Sequence, residues 1–233
     1  MPPEISYLHQ TQLTRELTMP NQKSSMREIL ALVPVMPVLT VHDASLAADL
    51  ARSLVAGGVL VFEVLLRTPA AADAIRAMVK AVPQARIGAG TLLRAEDVAR
   101  AADAGAAFGV APGLTDALGQ AIRTSGLPFL PGVSTASEVM QAVGMGFREL
   151  KLFPAQGGAG VAWLQTMAAV FPSITFCPTG GIKQADIPAY LSLPNCRTVG
   201  CSWVVPASLV EARDWTGITA LAKQAASMKA YRA

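Results

Sequence analysis

Short apolar runs, each closed by turn residues and followed by an amphipathic stretch, recur along the chain at intervals of roughly 20 to 30 residues. The runs are Val35–Val41, Leu60–Leu66, Ala85–Gly90, Ala107–Ala111, Pro128–Val133, the stretch around Lys151, Ile174–Pro178 and Thr198–Val204. Between them the pattern predicts helices over Ala44–Ala56, from Thr68 as N-cap and Pro69 at the first helical position to about Ala81, and over Ala95–Ala104, Thr115–Thr124, Val161–Val170 and Gln184–Leu191. Another opens at Thr135 and Glu138, which have capping-box spacing. A short helix at Arg27–Leu32 leads in, a Gly-rich link at Gly157-Gly158-Ala159-Gly160 precedes Val161, and a last helix from about Asp214 to Tyr231 closes the chain. Pro37 counts against a central first strand, because it has no N–H to give a ladder. Strands alternating with helices make a parallel sheet, and eight units are the number that closes a (β/α)8 TIM barrel. An open doubly wound sheet is the alternative, although no G-x-G-x-x-G opens the first helix.

At 233 residues the chain suits one barrel-sized domain, residues 26–233, behind a polar extension, residues 1–25, that lacks periodicity. Only 15% of residues are charged against 52% hydrophobic, a balance that favours deep burial or an oligomer interface. A net charge of +3 from scattered basic residues leaves no nucleic-acid patch. The longest apolar run, Ile29 to Val41, is broken by Pro34 and Pro37 and is too short to cross a bilayer, and no secretory start precedes it. Cys177, Cys196 and Cys201 have no metal-ligand spacing and suit reduced thiols in a cytoplasm. With His9 and His42 the only histidines, zinc hydrolysis and Ser-His-Asp chemistry lose support together.

Lys151 is the one lysine of six inside a strand-like run. Alternation puts Leu150 and Leu152 on one face and Glu149, Lys151 and Phe153 on the other, toward the interior. An amine enclosed by apolar walls loses solvation of its ammonium form, and a neutral amine attacks carbonyl carbons to give Schiff bases. The structural alternative is an ion pair with Glu63 or Glu149. Glu63, Leu65 and Arg67 share the inner side of the second strand. A carboxylate and a guanidinium there suit a general acid/base and a bidentate carboxylate clamp, or else an ion pair. Thr91 follows Gly88-Ala89-Gly90, where a ligand can approach the backbone, although a helix N-cap explains it equally. Thr179-Gly180-Gly181 and Gly200-Cys201-Ser202 end the last two strands, where barrels often hold phosphate on backbone N–H groups.

Together these segments resemble a known family. Glu63-Val64-x-Leu66-Arg67-Thr68, Gly88-Ala89-Gly90-Thr91, Pro112-Gly113-Leu114-Thr115, Pro131-Gly132-Val133-Ser134-Thr135, Lys151-x-Phe153-Pro154-Ala155, Cys177-Pro178-Thr179-Gly180-Gly181-Ile182 and Ser202-Trp203-x-Val205-Pro206 look like the 2-keto-3-deoxy-6-phosphogluconate (KDPG) aldolases, which also cleave 4-hydroxy-2-oxoglutarate. The resemblance runs from about Arg27 to the C-terminus. It implies a class I aldolase with Lys151 as Schiff-base lysine, Glu63 as proton acceptor, and Arg67 and Thr91 on the pyruvyl carboxylate. Pro112, Phe153, Thr179, Gly180, Gly181, Gly200, Cys201 and Ser202 would line the rest of the substrate. It further implies a homotrimer that takes a small 2-keto acid and needs no metal or cofactor. Leu65 stands where the family has threonine and Cys201 where it has a second glycine, a side chain that bears on how a phosphate is accommodated. Related readings are an aldolase for phosphogalactonate or another 2-keto-3-deoxy acid, and a non-catalytic barrel that binds a phosphate ligand.

Overall fold

The computed structural model describes residues 24–155 and 160–230. The Gly157-Gly158-Ala159 part of the expected link, all but Ser24 and Ser25 of the N-terminal extension, and the Tyr231 end of the last helix lie outside the described residues. Helix α1, Met26–Leu30, opens with a reciprocal capping box between Ser25 and Glu28. The strands are β1 Val35–Leu39, β2 Val61–Leu65, β3 Arg86–Gly90, β4 Phe108–Val110, β5 Phe129–Leu130, β6 Gly132–Val133, β7 Glu149–Leu152, β8 Thr175–Pro178 and β9 Val199–Cys201. Between them run α2 Ala47–Ala56, α3 Ala71–Ala81, α4 Ala95–Asp103, α5 Asp116–Ser125, α6 Ala136–Gly144, α7 Gly160–Val170 and α8 Ile187–Leu191. After β9 come α9 Ala207–Glu211 and α10 Trp215–Ser227.

Every strand pairing is parallel, as strand-helix alternation demands. One sheet has the order β5-β4-β3-β2-β1-β9 and the other β6-β7-β8. The expected fifth strand is split between them by Pro131: its first half pairs with β4 and its second with β7. Pro131 gives no N–H, but its carbonyl accepts the Lys151 N–H at 2.8 Å. Isolated bridges between Thr179 and Gly200 and between Phe176 and Cys196 link the β8 and β9 regions. Hydrogen bonding therefore gives two parallel sheets where one continuous ring was expected.

Pro37 sits within β1 after all. β1 meets β9 through Val35–Pro37 and meets β2 from Val38 onward, so the proline lies where the strand changes partners. Helices cover the outer faces, and strand residues of both faces are buried, as expected for parallel sheets. Phe62, Phe108 and Phe176 are fully enclosed in that packing. The last helix docks on α2, where the Thr219 hydroxyl donates to the Ser53 carbonyl at 3.1 Å. The expected eighth strand is only three residues long, and α9 was not expected.

Candidate active site

Strand β7 carries Lys151 between Gly132 on β6 and Cys177 on β8. Leu150 and Leu152 point into the core, and Lys151, only 5% exposed, points inward. Its Nζ lies 3.6 Å from Glu63 Oε1 and 5.2 Å above the centre of the Phe153 ring. Glu149 pairs instead with Arg27, Nε to Oε1 at 3.0 Å, so of the two carboxylates that could satisfy Lys151 the structure chooses Glu63. Glu63 is fully buried, and neither of its oxygens has a hydrogen-bond partner among the described residues. A buried carboxylate is normally held by several donors, because an unsatisfied charge costs several kcal/mol. Here one amine at ion-pair distance stands alone against that cost.

Farther along β2, Leu65 is buried yet lies outside the contiguous hydrophobic core, facing the same interior as Glu63. Arg67, exposed, donates from Nε to Thr91 Oγ1 at 3.1 Å. Thr91 has φ +63°, a left-handed backbone that costs a threonine about 1–3 kcal/mol. It is not an N-cap: α4 starts at Ala95, and the Asp97 carboxylate accepts the Leu93 and Arg94 N–H groups. Thr68 does not cap α3 either, since its hydroxyl donates to the Val41 carbonyl and the helix opens later, at Ala71. Thr68 thereby ties the end of β2 to the end of β1.

The β8 end is similarly tied. Thr179 is buried, its N–H donates to Leu152 O at 2.9 Å, and its carbonyl accepts the Ala155 N–H at 2.9 Å. Gly180 at φ +100° and Gly181 at φ +73° turn the chain so that Gly180 rests against the Phe153 ring, a conformation open to glycine at no steric cost. Gly200 lies against the Thr179 side chain. Ser202 is exposed, whereas Cys201 is buried within the core. The backbone of Pro112 and Gly113 packs against Gly132, beside Lys151.

Cys177 is a site residue that the sequence did not single out. Burial pushes its thiol up to about 12, with Lys151 pulling it down and Glu63 pushing it up, so it stays a neutral neighbour of both. Alternation back from Thr179 on the inner face would have found it. Burial likewise raises Cys201 to about 12 against the pull of the Trp203 backbone N–H. Among the described residues no group of three His, Cys, Asp or Glu side chains could hold a metal ion. The structure thus brings Lys151, Glu63, Phe153 and Cys177 together, joins Arg67 to Thr91, and gathers Thr179, Gly180 and Gly200 at the β8–β9 end.

The chain as a whole has relatives among known proteins. The KDPG and KHG aldolase family profile matches residues 26–221. A KHG/KDPG aldolase of Escherichia coli strain K12 is 46% identical over 207 residues, covering 89% of this chain and 97% of the relative. The 2-dehydro-3-deoxy-phosphogluconate aldolase of Zymomonas mobilis is 46% identical over 201 residues, covering 86% and 95%. Among solved structures, the Legionella pneumophila KDPG aldolase, with pyruvate captured as a covalent carbinolamine, superposes with a TM-score of 0.86 at 39% identity, covering 88% of this chain and 100% of that one. The chain therefore belongs to the KDPG and KHG aldolase family.

Proposed function

We propose that this protein is a class I aldolase that cleaves 2-dehydro-3-deoxy-6-phosphogluconate to pyruvate and glyceraldehyde 3-phosphate, 4-hydroxy-2-oxoglutarate to pyruvate and glyoxylate, or both. The observation that carries this is the buried Lys151 Nζ 3.6 Å from Glu63 Oε1. The free-base amine attacks the C2 carbonyl of the keto acid and gives a carbinolamine. The carbinolamine hydroxyl takes up one proton from solvent and leaves as water, giving a protonated imine, which is the electron sink. Glu63 removes the C4 hydroxyl proton, the C3–C4 bond breaks, and its electrons pass into the imine to form an enamine while the aldehyde departs. Glu63, now protonated, is placed to return a proton to C3, and hydrolysis frees pyruvate and Lys151. The cycle consumes no oxidant or reductant.

Arg67 and Thr91 suit the substrate carboxylate. Thr91 takes the guanidinium Nε–H, and the two Nη groups carry the remaining donors in a fork that matches a carboxylate. Thr179, Gly180, Gly181, Gly200 and Ser202 would receive the far end of the substrate, with Pro112 and Phe153 as walls. Cys201, buried under the Trp203 N–H, bears on that end indirectly.

We further infer a closed (β/α)8 barrel. Its support is the division of the fifth strand at Pro131 between neighbours on either side, together with the Thr179–Gly200 bridge. A homotrimer is consistent with the low charge content and with exposed Leu93 and Met140. Residues 26–233 would form the catalytic domain and 1–25 an extension. Among the described residues no helix is long and apolar enough to cross a membrane, and a cytoplasmic site rests on the three free thiols. The direct test is pyruvate release from each of the two substrates by the purified chain. Release from at least one, lost in Lys151→Met, supports the reading; release from neither overturns it.

A further inference from the structure

We propose that Gly90 is a positioning residue for proton transfer, in that the space where its side chain would stand is the slot that holds the Glu63 carboxyl beside the Lys151 amine. This rests on the reading of Lys151 and Glu63 as imine-forming lysine and base. In the β2–β3 register Glu63 faces Gly88 and Leu65 faces Gly90. The Glu63 side chain thus leans one pleat toward the C-terminal ends of the strands and lies across Gly90. The three atoms nearest to a Cβ built on Gly90 are Glu63 Oε1, Cδ and Cγ, with the two carbons at 2.6 and 2.7 Å. That oxygen is the one that faces Lys151 Nζ.

Two observations make the slot matter. Gly90 is not among the residues at positive φ and lies within a regular strand, so the backbone there does not require glycine; the space does. The Glu63 oxygens have no hydrogen-bond partner among the described residues, so packing and the amine alone fix the carboxyl. A methyl group at 90 is not readily absorbed by the backbone, because Gly90 pairs with Leu65 on β2, its carbonyl accepts the Leu66 N–H at 2.8 Å, and the preceding Ala89 is paired with β4. The carboxyl must swing away, and its distance to Lys151 goes with it.

The test is a cycle of Gly90→Ala with Glu63→Ala in the full chain. Readouts are borohydride trapping of the pyruvate imine, deuterium exchange at pyruvate C3, and the melting temperature. Gly90→Ala is expected to trap pyruvate to within about threefold of the parent while C3 exchange falls about 100-fold or more, the range of a lost general base. In the Glu63→Ala background the same change should alter exchange by less than about threefold. It should also lower the melting temperature less there than beside the intact glutamate. Should Gly90→Ala alone fail to fold, the double variant must fold. Exchange near the parent's in Gly90→Ala, an equal penalty in both backgrounds, or an unfolded double variant would overturn the proposal. If the parent chain traps no pyruvate, the functional reading fails, and the melting-temperature cycle still judges the slot.

Discussion

Glu149 and Lys151 stand two residues apart on one strand, on the same face, and each is half of an ion pair. At the start of β7 Glu149 meets Arg27 at 3.0 Å, with the guanidinium 62% exposed. Two residues on, Lys151 meets Glu63 at 3.6 Å, with side chains 7% and 0% exposed. The closer pair matters less. In water the first saves little, because exposed charges are screened and their side chains lose entropy, so such pairs are worth about 0–1 kcal/mol. The second pair forgoes hydration at a cost that its single contact repays poorly, and apolar residues of similar volume would usually serve stability as well or better. On the proposed reading, this fold keeps the pair for its reactivity. Position along one strand thus separates a half-exposed pair at the base of the fold from an enclosed one near the strands' C-terminal ends, the one proposed to do chemistry.

The largest effect expected is from Lys151→Met, which should abolish cleavage of either keto acid in a pyruvate-release assay. It also leaves Glu63 buried without a counter-ion, so a stability loss of about 3–5 kcal/mol should appear in denaturant titration. Glu63→Gln keeps the shape and removes the base. It should lower kcat by about 10²- to 10⁴-fold while imine trapping persists, and unchanged turnover would sink the assignment. Arg67→Ala removes donors to a charged group worth about 1.5–3 kcal/mol, so kcat/KM should drop about 10- to 100-fold with imine chemistry intact at saturation. Smallest of all, Arg27→Ala should leave kinetics unchanged and cost at most about 1 kcal/mol, or about 2–4 °C in melting temperature for a chain of this size. A larger loss at Arg27 than at Lys151 would invert the contrast between the pairs.

Much of this was legible in the sequence, for physical reasons. The 20-to-30-residue alternation declared a parallel α/β fold, and side-chain alternation on β2 and β7 pointed Glu63 and Lys151 inward together. Long-range partner choice was less legible. Nothing local shows that Pro37 lies where β1 changes partners, or that Pro131 divides one strand between two sheets. Thr68 and Thr91 both read as helix caps because their spacing to the next helix is short. The structure instead gives Thr68 to the Val41 carbonyl and Thr91 to Arg67, since side-chain hydroxyls serve whichever partner the fold brings near. Gly90 looked like room for a ligand, and its role beside Glu63 emerges only when the β2–β3 register is known.

The central claim is that one enclosed amine does the covalent work. Incubating the protein with pyruvate, reducing with borohydride and mapping the peptides by mass tests it most directly. The account predicts a single reduced pyruvyl adduct on Lys151 and none in Lys151→Met. An adduct on Lys183 or another exposed lysine, or no adduct at all, would contradict it.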